Sequence, residues 1–332
     1  MVNISEIKRK IGEIVVPGVM RSIEDMKLLK EVEDMSDEVK VIFSTSIIPD
    51  PIQRWIEDRV RNALKELGVI KEVRMEFRDK TPKELNEIKH IIAVMSGKGG
   101  VGKSLVSSLI AIALRRYGYS VGILDADITG PSIPKMFGIK ERPIAGKAGI
   151  LPVSSKTGIE LMSINLLLPS EDDAIIWRGP LIGKAIIQFG EEVLWGKLDY
   201  LVIDLPPGTS DAPLTVLQQF PIDGVIIVFT PQDLVELIVK KAVNMTRKLN
   251  KKIIGLIENM SYLYIPELDK KIELFGNSRA EEMAEVASAP LIGVLPFETE
   301  IVKLCDRGEI ELYEGDFMES LRVFIAKNIQ NI

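Results

Sequence analysis

An α/β fold is predicted: a doubly wound, mostly parallel sheet preceded by a small α/β domain. Three observations predict it. Apolar runs recur at Ile91–Met95, Val121–Leu124, Leu201–Ile203, Val225–Phe229, Ile253–Ile257 and Leu291–Leu295. Helical patterns fall between them, which is the alternation of βαβ units whose sheet is covered on both faces. The first run also leads straight into a glycine-rich turn, Gly97-Lys98-Gly99-Gly100-Val101-Gly102-Lys103-Ser104, and a helical stretch from Lys103 to Tyr117. A chain of 332 residues has room for two domains, one of them large.

In chain order, residues 1–79 read as the small domain. A helix is expected near Ser5–Ile14 and a strand over Glu38–Ser44. Ile52, Ile56, Val60, Ala63, Leu64 and Leu67 fall at helical spacing over Pro51–Leu67, and Gly68 follows as a C-cap. Val69–Phe77 alternates as a strand does. Residues 80–89 are charged, contain Pro82, and read as a linker. Residues 90–332 form the large domain.

The turn after Met95 is a P-loop. Backbone N–H groups there converge on one spot where the helix dipole also favours anions. Glycines let phosphates approach the backbone. Lys103 is expected on the β/γ-phosphates, with the Ser104 hydroxyl on Mg²⁺ and Leu105 following in the first turn. Lys98 is unusual, because a P-loop needs only Lys103. From inside the loop it can reach across a two-fold axis to the phosphates of a partner copy, as an arginine finger does.

Further carboxylates follow apolar strands. Ile123-Leu124-Asp125-Ala126-Asp127 offers Asp125 to the Mg²⁺ shell and Asp127 to orient an attacking water. Tyr200-Leu201-Val202-Ile203-Asp204 is a Walker-B arrangement, so Asp204 is a third expected Mg²⁺ residue. Pro206-Pro207-Gly208 makes a stiff turn whose Gly208 N–H is expected to sense the γ-phosphate. Glu258-Asn259-Met260-Ser261 follows another strand, and Asn259 is a candidate purine contact. Leu295-Pro296-Phe297 could wall the base. The chain lacks an Asn-Lys-x-Asp guanine signature, which favours ATP over GTP.

Composition excludes several classes. The net charge of −6 argues against a general nucleic-acid binder. The sequence offers no apolar span for a membrane, and Glu6, Lys8, Arg9 and Lys10 interrupt any signal-peptide core, so a cytoplasmic location is expected. Cys305 is the only cysteine, so no internal disulfide can form. Cys305 and the single histidine, His90, read as structural residues. The amphipathic stretch Phe317–Ile332 lacks the basic face of a membrane-surface helix.

Together these motifs resemble the Mrp/ApbC family of iron–sulfur cluster carrier ATPases, within the MinD/ParA group of deviant-Walker-A P-loop NTPases. The resemblance covers residues 90 to about 310. It rests on Gly97–Ser104, Asp125–Pro134, Ile176-Trp177-Arg178-Gly179-Pro180, Asp204–Asp211, Glu258–Ser261 and Gly293–Pro296. Residues 1–79 resemble the small domain of iron–sulfur assembly systems. The resemblance implies a homodimer closed around two nucleotides, slow ATP hydrolysis, and transfer of a cluster to a client apoprotein. It also exposes a departure. The family's Cys-x-x-Cys falls where this chain has Ile265 and Leu268, neither of which can ligate iron. In the small domain, Val16-Pro17-Gly18 stands for the usual Asp-Pro-Glu, and Asp50-Pro51, with Ile48-Pro49 upstream, for the usual Cys-Pro. Two tasks therefore stand: cluster carriage or assembly, and a cluster-free regulatory ATPase that docks a partner protein.

Overall fold

The computed structural model describes residues 3–17, 19–44, 48, 50–78, 82–127, 130, 132–146, 149–167, 179–232, 235–265, 268 and 270–328. The chain divides into two compact units. The smaller comprises residues 1–88, 143–154 and 189–198; the larger comprises residues 89–142, 155–188 and 199–332.

In the smaller unit, the helix Ile4–Gly12 starts where the Asn3 side chain accepts from Ser5 N at 3.0 Å. Its apolar side presents Ile7 and Ile11 to the core. A three-stranded sheet has the order Leu29–Asp34, Glu38–Phe43, Glu72–Phe77. The first pair is antiparallel and the second parallel. A parallel pair needs a crossover, and the helix Asp50–Glu66 supplies it. Phe43 and Phe77 sit opposite each other in register and stack at 5.0 Å. Leu151 and Leu194 belong to the same core as Ile7, Val41 and Ile56, although they come from far along the chain. Arg21 fastens one of these late segments: its buried guanidinium donates to Trp195 O at 2.7 Å.

Leu29–Asp34 was not expected as a strand, because Lys30, Glu31, Glu33 and Asp34 hide its pattern. Within residues 80–89, Pro82–Leu85 forms one helical turn and Glu87 already begins the next strand.

In the larger unit, the strands Glu160–Ser163, Val121–Asp125, Lys197–Asp204, Glu87–Met95, Gly224–Phe229 and Ile253–Ile265 lie side by side in that order. Leu291–Phe297 pairs in parallel with Ile253–Ile265. Lys270–Ile272 pairs with the far end of the same strand in the antiparallel sense. All six residues of Gly224–Phe229 are buried, and the strand touches both the helix Lys103–Arg116 and the helix Val235–Lys248. That is a strand covered on two faces, as the continuous apolar run predicts.

Two strands differ from expectation. Glu160–Ser163 has only two apolar residues, yet all four are buried. The run at Ile253 does not stop at Ile257; it continues through Glu258–Ser261 to Ile265. Polar residues persist inside this strand because they satisfy one another, as described below.

Candidate functional site

The expected residues lie at or just beyond the ends of the strands Glu87–Met95, Val121–Asp125 and Lys197–Asp204, and within the strands Ile253–Ile265 and Leu291–Phe297. The helix Lys103–Arg116 begins at Gly102, whose φ of 78° is left-handed. Gly100 is also left-handed at 78°, and a Cβ built there meets nothing within 4 Å; one built at Gly99 meets only Pro207, at 3.8 Å. The middle of the loop is therefore an open cradle of backbone. Its two flanks are tight. A Cβ on Gly97 would lie 2.5 Å from Ile238 O, and one on Gly102 would lie 2.1 Å from Asn259 Nδ2. Val101 between them is buried, and Leu105 is half-buried in the first helical turn.

Lys103 is 5% exposed. Its ammonium lies 2.9 Å from Asp204 Oδ2 and 3.7 Å from Asp127 Oδ2. It nevertheless lacks a well-directed hydrogen bond among the described residues. A buried ammonium without directed acceptors is costly unless another acceptor completes it. An oxyanion in the open cradle fits that requirement.

Asp204 is fully buried and heavily used. Ser104 Oγ donates to its Oδ2 at 2.6 Å, and Ser107 Oγ donates to its Oδ1 at 2.7 Å. Asp125 is its register partner on the adjacent strand. Ser163 Oγ donates to Asp125 Oδ2 at 3.1 Å, and Asp127 N donates to Oδ1 at 3.2 Å. Burial, followed by the neighbouring Asp204 charge, pushes the Asp125 carboxyl up to about 8. Asp125, Asp127 and Asp204 thus cluster around Lys103, with Ser104 alongside. These carboxyl groups and the Ser104 hydroxyl converge as oxygen donors, and oxygen donors suit Mg²⁺. Ser104, Asp125 and Asp204 supply the kind of donor that ion takes when phosphate oxygens complete its shell.

Lys98 donates from Nζ to Gln232 Oε1, while Ser96 Oγ donates to Lys98 O at 2.8 Å. Gly208 N donates to Ser96 O at 3.0 Å. The expectation that Gly208 N–H is free to meet a phosphate is therefore corrected: here it ties the Asp204 loop to the P-loop. Asn259 is 2% exposed, its Nδ2 donates to Val101 O at 2.9 Å, and its Oδ1 accepts from Met260 N at 2.8 Å. Pro296 is half-buried, one residue past Leu295, the register partner of Asn259.

Ile265 ends the long strand, and Leu268, three residues on, is 69% exposed. Ile176, Trp177, Arg178, Thr129, Pro131, Pro266, Gly18 and Pro49 lie outside the described residues. Cys305 is half-buried in the helix Thr299–Arg307, and burial pushes its thiol up to about 11. His90 stacks on Tyr200 at 5.1 Å within the strand that feeds the P-loop. Among the described residues, no group of three or more His, Cys, Asp or Glu is placed to hold a metal ion by itself. No helix among them is long and apolar enough to cross a membrane.

Sequence reasoning missed Ser107, Ser163, Gln232 and Ile238. Ser107 had a usable signal, since it lies four residues after Lys103 on the same helical face. Ser163, Gln232 and Ile238 reach the site only through sheet order and packing, which no local pattern encodes.

Residues 87–330 match the family described as ParA, NUBPL iron-transfer P-loop NTPase. An iron–sulfur cluster carrier protein of Clostridium perfringens is 46% identical over 237 residues, covering 69% of this chain and 83% of that protein. A carrier of the same name from Aquifex aeolicus is 37% identical over 338 residues, covering 92% of this chain and 93% of the relative. Among solved structures, a nucleotide-binding protein from Archaeoglobus fulgidus in complex with ADP is 43% identical with a TM-score of 0.64, over 72% of this chain and 94% of that one. A chain of the MinC:MinD cell division protein complex of Aquifex aeolicus shares the fold at 20% identity and a TM-score of 0.53, over 72% of this chain and 96% of that one.

Proposed function

Because the chain belongs to the ParA-type family of iron-transfer P-loop NTPases, we propose that it is a Mg²⁺-dependent ATP switch that hydrolyses slowly and works as a pair of copies. The observation that carries this reading is the buried Lys103 ammonium beside an open backbone cradle: it is paired with Asp204 and Asp127 but has no directed hydrogen bond among the described residues. ATP phosphates would lie along Gly97–Ser104, with Lys103 on the β/γ-phosphates and Asn259 and Pro296 on the base side. Ser104, Asp125 and Asp204 would hold Mg²⁺, which when bound neutralises phosphate charge.

Each protein group then has a defined task. Asp127 orients the attacking water, which suits phosphoryl transfer because positioning matters more there than a strong base. Lys98 leaves Gln232 and crosses to the partner's phosphates, where it offsets charge developing on the oxygens. The loops after Asp125 and Asp204 relax when the γ-phosphate departs and change the surface offered to a partner protein. Titration calorimetry tests the core of this. Mg–ATP and Mg–ADP are expected to bind the native chain, and Lys103→Ala is expected to abolish binding while the protein stays folded by circular dichroism. An unchanged isotherm in Lys103→Ala would overturn the assignment.

One observation favours a second reading of the biological task. Ile265 and Leu268 put aliphatic carbon where the resemblance to the cluster carriers leads one to expect a Cys-x-x-Cys. A cluster cargo would need ligands from a client, whereas a cluster-free regulatory ATPase would need none. Iron and sulfide analysis of anaerobically purified protein separates the two. Stoichiometric iron and acid-labile sulfide support carriage, and their absence supports the cluster-free scaffold.

A further inference from the structure

The strand Ile253–Ile265 has an irregularity at the level of the P-loop. Its register against Leu291–Phe297 shifts between Asn259 and Leu263, and Met260 there is left-handed, with φ of 56°. A long unbranched side chain at positive φ is costly, so something must hold it. Glu258 does so. Its carboxylate is fully buried and takes two donors: Ser261 Oγ at 2.5 Å on Oε1, and Arg279 N at 2.9 Å on Oε2. The first bond spans the bulge from one side to the other. The second anchors the carboxylate at the start of the helix Ala280–Ala287, where the dipole favours a negative charge.

The beneficiary is Asn259. With the backbone turned at Met260, Met260 N caps Asn259 Oδ1, which fixes the flip of the carboxamide. Nδ2 is thereby aimed at Val101 O. That bond ties a P-loop carbonyl to the strand. The fit is close enough that Gly102 has no room for a Cβ.

We infer that Glu258 is a positioning residue: through the bulge at Met260 it aims the Asn259 carboxamide at Val101 and keeps the P-loop in its anion-accepting shape. This rests on the nucleotide-site reading above, so its test has one arm with nucleotide and one without.

In the first arm, Mg–ADP affinity is measured for Glu258→Gln, Asn259→Ala and the double variant. Glu258→Gln keeps the volume but loses one acceptor. It is expected to weaken binding about tenfold, the size of one buried hydrogen bond. On the Asn259→Ala background the same change is expected to cost less than about twofold, because a residue acting through Asn259 has nothing left to act on. Equal losses on both backgrounds, or no loss on the native one, would overturn the inference. In the second arm, nuclear magnetic resonance follows the Asn259 side-chain NH₂ without nucleotide, assigned by its loss in Asn259→Ala. Slow exchange is expected in the native chain and fast exchange in Glu258→Gln; unchanged protection would overturn the inference even if nucleotide binding itself failed. Should Glu258→Gln not fold, Ser261→Ala removes one of the same two bonds and is carried through both arms.

Discussion

Asp125 is a residue whose chemistry departs far from its free state. Its carboxyl is pushed from the ordinary 3.8 up to about 8 by burial first and by Asp204 second. Between those two values the unfolded chain has released a proton that the native chain retains. The native state binds more protons, so stability falls as pH rises through roughly 4 to 8. Asp125→Asn cannot titrate, can still accept from Asp127 N, and can donate to Ser163. Thermal unfolding is expected to show a higher Tm for Asp125→Asn than for the native chain at pH 8, and a flatter pH slope. A parallel slope in the variant would remove Asp125 as its source. Mg²⁺ affinity should fall in the same variant, since a neutral amide is a poorer ligand than a carboxylate.

The carboxylates and lysines around the loop were legible in the sequence, because each follows an apolar run or sits inside a motif with a mechanism. Their partners were not. Nothing local to Gln232 says that it will hold Lys98, and Gly208 reads as free until the Ser96 carbonyl is seen beside it. Lys98 itself yields a prediction. Lys98→Ala should bind Mg–ATP with near-native affinity as a single copy but lose nearly all turnover, and the residual rate should not rise with protein concentration. Native-like turnover in Lys98→Ala would exclude its proposed role across the dimer.

At the scale of elements, the P-loop shows that its glycines do different work. Gly97 lies against the backbone of the helix Val235–Lys248, and a Cβ would meet Ile238 O at 2.5 Å. Gly97→Ala must move that helix, so a loss of about 1–3 kcal/mol in denaturant unfolding is expected. Gly100→Ala has open space, and pays only for a left-handed backbone, about 1–2 kcal/mol. Its larger effect should be on nucleotide affinity, because the methyl group occupies the cradle. If calorimetry finds Gly97→Ala and Gly100→Ala equally impaired in both respects, the division of roles is wrong.

Strands buried on both faces were the most legible elements, since Val225–Phe229 and Ile91–Met95 are unbroken apolar runs. Leu29–Asp34 and Glu160–Ser163 were not, because a strand of alternating charge and a strand of four residues carry little pattern. The extension of Ile253–Ile257 through Glu258–Ser261 was illegible for another reason. Its polar side chains are satisfied by Arg279 N, Val101 O and each other, and the first two lie 21 and 158 residues away.

For the whole molecule, the main lesson concerns continuity. The core of the smaller unit includes Leu151 and Leu194, and Leu194 N donates to Ile150 O at 2.8 Å within it. A chain starting at residue 89 would keep the P-loop but leave these residues without Ile7, Val41 and Ile56. Such a truncation is expected to be less stable and to bind a hydrophobic dye, while Leu151→Ser with Leu194→Ser should suppress the dye signal. A truncated chain with native Tm and no dye binding would contradict this.

The same late segments also set the order of events during synthesis. The first 88 residues emerge long before residues 189–198, which complete their core. At ribosomal speeds the gap is on the order of ten seconds. Through that interval the nascent amino-terminal region is an open half-core, and the moment it can close is dictated by a stretch of message lying inside the coding region of its neighbour.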